Sequence, residues 1–373
     1  MWIRAVETTA IAIPFRTPYV TSRGRLQKRE TVLLRLITSD GLEGTGEGVP
    51  LSLRGGAATR QVERDLLGPC AEILQAAPLV AATTPGEDPG ALRGAIYALI
   101  ERCRGAGVSA PALAAIDIAL HDLAGRSLGL SIAHLLGARE LRSVNCNATL
   151  PAGKPEVVAQ LGEAWKARGF DSFKLKVGTE HELDTVAAVR EAVGSNGRIR
   201  IDANGSWDLD WATAILAKMQ PFGLQLVEQP VEQIEAMATL RSRTYVPLAA
   251  DESVNNAAQA RIAVELRACD MATVKLSKVG GISAALEVAQ VLPIYLSSAL
   301  DGPIGIAAAA QLAQVLPRAG EWSQLAHGLA TLDLFATQLA LRGPRLVGPA
   351  LQPDATPGHG VELDWSSLRK LRV

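Results

Sequence analysis

The apolar positions of the first third of the chain follow two different periods. Three segments look like strands of a small antiparallel sheet, because they alternate or are β-rich and are bounded by turn residues. These segments are residues 2–13, 31–38 and 42–47, and a turn at 39–41 separates the last two. We expect the first segment to end before Pro14. Residues 61–76 and 111–124 instead repeat apolar positions at helical spacing, with Gly125 as the expected stop of the second helix. We predict an α+β unit over residues 1–130.

From about residue 143, short apolar runs alternate with amphipathic segments. The strand-like runs are residues 144–150, 172–177, 198–203, 224–227, 247–250, 271–274 and 293–296. Segments with helical patterns lie between them, for example 155–168, 181–193 and 211–219. Strands that alternate with helices indicate parallel βαβ units, and their number approaches that of a closed barrel. We therefore predict an α/β barrel over residues 131–330, followed by a segment, 331–373, that packs back on the N-terminal unit.

Composition restricts the kind of protein. Of 373 residues, 48% are hydrophobic and 20% charged, which is typical of a globular domain, and the net charge of −1 disfavours nucleic acid or an anionic membrane as a partner. The four cysteines form no CxxC pair, and we find neither a signal peptide nor an apolar stretch long enough to span a bilayer. We expect a cytoplasmic protein.

Charged residues recur at the ends of five successive predicted strands. Lys176, Asp202, Glu228, Asp251 and Lys275 follow one another at spacings of 26, 26, 23 and 24 residues, about one βα unit each. In a parallel barrel these ends meet at one rim, where active sites lie. Lys174 is two residues before Lys176, so both side chains are expected to face the barrel interior.

This ring indicates metal chemistry. A single acidic residue after a strand is usually a helix N-cap, so Asp202, Glu228 and Asp251 carry meaning only as a set. Three converging carboxylates repel one another unless a cation lies between them, and ligands that are all oxygen suit Mg²⁺ or Mn²⁺. A partly desolvated lysine beside a cation can act as a base, and Lys275 approaches from the opposite side. The ring is thus suited to a small carboxylate substrate, and a metal and an ammonium group can stabilise the enediolate that forms when an α-proton is removed. This combination of lysine and metal is the known solution of the enolase superfamily.

The same residues form a family pattern. Lys174-Leu-Lys176, Asp202-Ala-Asn204, Glu228-Gln-Pro230, Asp251-Glu252-Ser253 and Lys275-Leu-Ser-Lys278 resemble the muconate-lactonising subgroup of the enolase superfamily over essentially the whole chain. The resemblance implies a modified (β/α)7β barrel with an α+β capping domain, and relatives of this kind are commonly oligomeric, so we expect a homo-oligomer. It further implies three roles: metal ligands (Asp202, Glu228, Asp251), acid/base lysines on two faces (Lys176, Lys275) and supporting groups (Lys174, Asn204, Glu252, Lys278).

The segment near the seventh strand bears on the reaction. Residues 295–301, Tyr-Leu-Ser-Ser-Ala-Leu-Asp, look most like the corresponding segment of o-succinylbenzoate synthases, and N-succinylamino-acid racemases could share this segment. The stretch Asp301-Gly-Pro-Ile-Gly partly resembles cycloisomerases. The mandelate-racemase subgroup fits less well, because Lys275 holds the sixth-strand position and His327 is misplaced for its His–Asp pair, although His327 could line the pocket.

Substrate contacts are expected from two regions. Ser297, Ser298 and Asp301 are candidates, but the connection 287–293 looks short and could shift the two serines. Tyr19 and Arg23, in a loop that would cover the barrel mouth, either contact substrate or belong to an ordinary solvated loop.

Our leading expectation is an o-succinylbenzoate synthase, in which Lys176 removes the α-proton and then helps hydroxide leave as water while Lys275 offsets the negative charge. The same ring can carry out racemisation or epimerisation of N-succinylamino acids or dipeptides, or cycloisomerisation of muconate or chloromuconate. A metal-binding homologue without turnover is the alternative from another class.

Overall fold

The computed structural model describes residues 2–21, 24–52, 55–76, 78, 89–178, 180–317 and 320–373. Its N-terminal part contains an antiparallel three-stranded sheet in the order β1 (Ile3–Thr21), β2 (Gly24–Thr38), β3 (Glu43–Gly48). The prediction that the first strand ends before Pro14 is wrong, because Pro14 pairs with Lys28 and β1 continues beyond a register shift. Proline is tolerated there because β1 is an edge strand, where half of the N–H groups have no ladder partner.

Helices cover one face of this sheet. They are α1 (Thr59–Asp65), a π-helical segment (Leu66–Cys70), α2 (Ala71–Gln75), α3 (Pro89–Gly105), α4 (Ala110–Leu128) and α5 (Ile132–Leu135). The single helix predicted over 61–76 is interrupted at the π-helical segment, which contains Pro69. Gly125 does not stop α4, which ends at Leu128 before the left-handed Gly129 (φ 68°). Gly125 is instead a contact point, because a Cβ there would lie 2.8 Å from the Gly358 nitrogen.

Strand β3 packs on α4 without intervening side chains. Its sequence, Glu-Gly-Thr-Gly-Glu-Gly, places Gly44, Gly46 and Gly48 on the face that meets the helix. A Cβ on Gly46 would lie 1.9 Å from the Ala115 carbonyl oxygen. Glycine is therefore required by the close approach of the two backbones.

The second part is the predicted barrel. The short strand β4 (Val144–Asn145) precedes it. The barrel strands are β5 (Ala148–Leu150), β6 (Ser172–Lys176), β7 (Arg198–Asp202), β8 (Leu226–Glu228), β9 (Leu248–Ala250), β10 (Met271–Val274) and β11 (Ile294–Leu296). Strands β5 to β11 pair in parallel in chain order, which confirms the α/β barrel class. Residues 326–328 close the ring, since the His327 N–H donates to the Asn145 carbonyl (2.7 Å) and the Gly328 N–H to the Leu296 carbonyl (2.8 Å). The single strand expected over 144–150 is two strands, of which β4 belongs to another sheet.

Helices surround the barrel strands. They are α6 (Pro155–Ala167), α7 (Glu182–Val193), α8 (Leu209–Met219), α9 (Ile234–Arg241), α10 (Ala257–Glu265), α11 (Leu276–Val279), α12 (Ile282–Ala289) and α13 (Pro303–Leu312), with a 3-10 turn at Gln220–Phe222. Their apolar faces and the barrel strands form one continuous core. Among the described residues, no helix has the length and apolarity needed to cross a membrane.

The last segment contacts both parts of the molecule. Its elements are a 3-10 turn (Leu332–Leu334), β12 (Ala340–Arg342), β13 (Arg345–Val347), β14 (Ala350–Gln352), β15 (Glu362–Leu363), α14 (Trp365–Leu368) and a 3-10 turn (Arg369–Leu371). Strand β14 pairs with β4, whereas the Phe335 ring stacks on Phe15 of β1 at 5.1 Å. The boundaries at 130 and 330 remain predictions.

Two buried carboxylates from the N-terminal part bind the starts of barrel helices. Glu47 of β3 accepts the N–H groups of Gly302 (2.7 Å) and Gly305 (2.9 Å) at the start of α13. Asp117 of α4 accepts the Ser283 N–H (2.9 Å) in the first turn of α12. Burial, and then the nearby Asp301, raises the pKa of Glu47 to about 7. These carboxylates supply acceptors that a helix start otherwise lacks.

Candidate active site

The barrel register brings the predicted ring together. Lys176 pairs with Asp202, and Asp202 pairs with Glu228, so these residues lie level at the carboxyl rim of neighbouring strands. Asp251 follows β9 directly, and Lys275 follows β10. The alternation of β6 places Lys174 and Lys176 on the same interior face, as the sequence predicted.

The three carboxylates fit a divalent cation. Asp202, Glu228 and Asp251 each offer an oxygen within 4.8 Å of the others, and all three are at most 1% exposed. Three hard oxygen donors on adjacent rigid strands form a donor set that suits Mg²⁺ or Mn²⁺.

Four lysines surround these carboxylates. Lys174 Nζ lies 2.7 and 2.6 Å from the two Glu228 oxygens and 3.0 Å from Asp202 Oδ2. Lys176 Nζ lies 2.5 Å from the same Asp202 oxygen. On the other side, Lys275 contacts Asp251 Oδ2 and Lys278 Nζ lies 2.9 Å from Asp251 Oδ1. The ammonium groups therefore relieve part of the repulsion among the carboxylates that the sequence led us to expect.

The local charges shift several pKa values. Burial alone would lower the pKa of Lys174, but Asp202 and Glu228 outweigh it and raise that pKa well above its ordinary value. Burial opposes ionisation of Asp202, yet Lys174 and Lys176 hold its pKa below the usual range. Burial, then Asp202, raises the pKa of Glu228, and burial lowers the pKa of Lys278. The site therefore holds a compact set of buried, mutually dependent charges.

Polar neighbours hold the lysines and the loops after the strands. Lys176 Nζ donates to Asn204 Oδ1 (3.0 Å), and Asn204 Nδ2 donates to Glu252 Oε1 (3.1 Å). Sequence reasoning missed Gln229, whose Oε1 accepts the Asp251 N–H (2.8 Å) and whose Nε2 donates to Ser253 Oγ (2.6 Å). Its side chain ties the loop after β8 to the loop after β9.

A cavity opens above the ring. Its lining residues are Tyr19, Leu26, Arg29, Leu51, Thr149, Lys174, Lys176, Asn204, Lys275, Lys278, Ser297, Ser298, Ala299, Leu300, Gly328 and Thr331. Four of the lining residues are lysines, whereas Leu26, Leu51, Ala299 and Leu300 contribute apolar surface. Arg29, which sequence reasoning missed, adds a cation from β2 and donates to the Pro50 carbonyl (2.9 Å).

The expected substrate contacts divide into three groups. Tyr19, Ser297 and Ser298 line the cavity, so the short connection 287–293 leaves both serines at the site. Asp301 does not line it, and its Oδ2 instead accepts the Ser298 hydroxyl (2.9 Å) and the Ala299 N–H (2.7 Å). Arg23 lies outside the described residues. His327 does not line the cavity either, because its Nδ1 accepts the Leu296 N–H (2.9 Å).

Two further interior residues lie beneath the ring and were missed. Tyr295 is fully buried and donates its hydroxyl to Glu228 Oε2. The guanidinium carbon of Arg200 lies 5.0 Å from the centre of the Tyr295 ring. Strand alternation could have indicated both residues, because Tyr295 is two residues before Ser297 and Arg200 is two residues before Asp202, and residues two apart on a strand face the same side.

A carboxylate triad at the carboxyl rim of a parallel barrel, with lysines on two sides and a capping sheet, defines a barrel enzyme of the enolase type. Comparison with known families agrees. The model "Mandelate racemase / muconate lactonizing enzyme, N-terminal domain" matches residues 3–137, and "Enolase C-terminal domain-like" matches residues 156–367. The chain belongs to the mandelate racemase/muconate lactonizing enzyme family of the enolase superfamily.

Individual relatives differ in reaction. Chloromuconate cycloisomerase CbnB of Cupriavidus necator is 32% identical, covering 99% of this chain and 98% of the relative. The o-succinylbenzoate synthase of Thermobifida fusca is 38% identical over 200 residues, which cover 52% of this chain and 61% of that one. The structure of a dipeptide epimerase from Cytophaga hutchinsonii, complexed with Mg and the dipeptide D-Ala-L-Val, superposes with a TM-score of 0.89 at 25% identity, covering 100% of this chain and 99% of that one.

Proposed function

We propose that the protein abstracts a proton α to a carboxylate of a small substrate, with Mg²⁺ or Mn²⁺ held by Asp202, Glu228 and Asp251. The observation that carries this proposal is the placement of Lys176 and Lys275 on one cavity, each paired with a different carboxylate of the triad. When bound, the ion supplies positive charge for the substrate carboxylate.

The chain's own residues would perform the proton transfers. Lys176, as the neutral amine, takes the α-proton, and the electron pair left behind is delocalised into the carboxylate as an enediolate. The ammonium of Lys275 faces the same space and offsets that charge. Asn204 holds the Lys176 amine in position through its Oδ1.

We further propose o-succinylbenzoate formation as the leading overall reaction. In that dehydration, Lys176 returns its proton to the departing hydroxide, which leaves as water while a carbon–carbon double bond forms. Support comes from the 38% identity with the Thermobifida fusca synthase and from the serine pair of residues 297 and 298 in the cavity.

Two alternatives each have an observation in their favour. The opposed lysines suit proton removal on one face and return on the other, which is the chemistry of a racemase or epimerase, and the epimerase structure has the same fold. Cycloisomerisation of a muconate or chloromuconate is supported by the cycloisomerase that is 32% identical along nearly the whole chain. Each reaction begins with a different substrate but uses the same ring.

A two-stage experiment tests the class and then the reaction. The first stage measures Mg²⁺-dependent exchange of α-protons in deuterated water for the cyclohexadienol precursor of o-succinylbenzoate, N-succinylamino acids and dipeptides. Formation of o-succinylbenzoate and muconolactone is followed separately. We expect turnover that is lost in Lys176→Ala and strongly reduced in Lys275→Ala, with Lys218→Ala, an exposed lysine of α8, as the matched control.

The outcomes separate the hypotheses. Rapid o-succinylbenzoate formation supports the leading reaction, whereas exchange or racemisation without dehydration selects the epimerase alternative and lactone formation selects the cycloisomerase. A folded, metal-binding protein that exchanges no α-proton would contradict the proposed chemistry and favour the non-catalytic homologue.

A further inference from the structure

Tyr295 lies in an unusual position for a buried phenol. It is in the middle of β11, is 0% exposed, and faces the barrel interior. Its hydroxyl donates to Glu228 Oε2, while its ring contacts the Arg200 guanidinium. Arg200 is itself fixed, since its Nη1 donates to the Ala326 carbonyl (2.7 Å) and its Nε to Gln225 Oε1 (3.1 Å). The phenol is therefore supported from below by a rigid neighbour.

Glu228 receives two kinds of donor. Lys174 Nζ contacts both of its oxygens, at 2.7 and 2.6 Å, and Tyr295 contacts Oε2 alone. Lys174 lines the cavity, whereas Tyr295 does not, so the phenol reaches the carboxylate from beneath. The Lys174 ammonium is positively charged and therefore competes with a divalent cation for Glu228. The Tyr295 phenol is neutral, so its hydrogen bond leaves the negative charge of Glu228 available to the cation.

We propose that Tyr295 is a positioning residue for the divalent cation: by holding Glu228 Oε2, it keeps the other carboxylate oxygen directed toward Asp202 and Asp251. The inference rests on the metal site of the proposed function. A side chain that orients a ligand typically changes metal affinity or activity by about 10- to 100-fold when it is removed. Tyr295 thus contributes to metal affinity without touching the substrate.

The test compares metal affinities of the full-length chain after chelator treatment. Titration calorimetry with Mg²⁺, and electron paramagnetic resonance with Mn²⁺, give the dissociation constants without a substrate. Tyr295→Phe removes one oxygen and keeps the ring against Arg200, and we expect its Kd for either ion to rise about tenfold or more. Thr273→Val is the matched control, because Thr273 pairs with Tyr295 in register and its buried hydroxyl has no hydrogen-bond partner in the part of the chain that the structure describes. Its Kd should stay within twofold of wild type.

Each outcome is informative. A wild-type chain that binds neither ion contradicts the proposed metal site itself. Wild-type binding with an unchanged Kd in Tyr295→Phe overturns only the role of Tyr295, as does an equal loss in Thr273→Val, which would indicate barrel packing.

A second measurement does not depend on the folding of Tyr295→Phe. In a Tyr19→Phe background, we expect Mg²⁺ to shift the tyrosine absorption spectrum with the same Kd as in calorimetry, because ligation of Glu228 weakens it as an acceptor for the phenol. The other two tyrosines, Tyr97 and Tyr245, are 45% and 100% exposed. A flat tyrosine spectrum during a titration in which calorimetry shows binding would refute the proposal.

Discussion

Lys174 offers a quantitative test of how the site balances its charges. Its ammonium, with 5% side-chain exposure, lies 2.6–3.0 Å from Glu228 and Asp202, which are 1% and 0% exposed. Lys174→Met keeps most of the side-chain volume and removes the charge, which leaves two buried carboxylates without this partner. Removing one partner of a buried ion pair typically costs about 3–5 kcal/mol. We expect the metal-free variant to lose that much free energy of unfolding.

The divalent cation changes this expectation. If the triad binds Mg²⁺, the ion replaces part of the missing positive charge, and the destabilisation of Lys174→Met should fall by about half or more at saturating Mg²⁺. Because binding and folding are linked, the variant must then bind Mg²⁺ more tightly than wild type does, about tenfold for every 1.4 kcal/mol recovered. This direction is opposite to the one expected for Tyr295→Phe.

The assay is urea unfolding at neutral pH, with chelator and with saturating Mg²⁺, for wild type, Lys174→Met and the exposed control Lys218→Met. The control should change stability by less than about 0.5 kcal/mol in both conditions. A loss in Lys174→Met that is equal with and without Mg²⁺, or smaller than about 1 kcal/mol, would refute this account of the charge balance.

Further predictions concern Glu47, at the interface between the sheet and the barrel, and Gly46, where β3 packs on α4. The pKa of Glu47 is raised from 4.5 to about 7, so its stabilising contribution is present below pH 4.5 and is lost as the pH rises through 7. Urea unfolding of wild type should therefore show up to roughly 3 kcal/mol less stability from this group at pH 8 than at pH 4.5, and Glu47→Gln should flatten that slope. Gly46→Ala places a Cβ 1.9 Å from the Ala115 oxygen and should cost about 3 kcal/mol in thermal or urea unfolding, and a loss below about 1 kcal/mol would contradict the packing. Gly94→Ala, at an open and exposed helical site of α3, is its control and should leave stability equal or up to about 1 kcal/mol higher.

Strand and helix alternation was enough to predict the barrel and the rim. Each charged residue of the ring follows a short apolar run, and parallel strands of similar length must place such residues at one edge. The three carboxylates, Lys174, Lys176 and Lys275 could be placed at the rim by this reasoning, because period and spacing are local properties. Lys278 followed only from the family resemblance. Tyr295 and Arg200 lie beneath the rim, two residues before Ser297 and Asp202, so strand alternation also directs their side chains into the barrel.

Other features depend on contacts that are distant in sequence. Gly125 looks like a helix stop until Gly358 is seen to pack on it, and Pro14 looks like a strand end until β1 is known to be an edge. Asp301 was expected to bind substrate, yet its carboxylate holds the turn of residues 298–301 through the Ser298 hydroxyl and the Ala299 amide. Arg29 reaches the cavity because β2 begins at Gly24, seven residues before the predicted strand start at Thr31.

The carboxylates of Glu47 and Asp117 have a consequence for engineering chimeric proteins. The first amides of α13 and α12 find their acceptors on the capping part rather than within the barrel. A barrel grafted beneath a foreign cap would bury those amides against whatever side chains the new cap presents. A chimera built to change substrate specificity should therefore retain an acid at positions 47 and 117. Exchanging only the loops above the cavity should disturb the structure less than exchanging the whole cap.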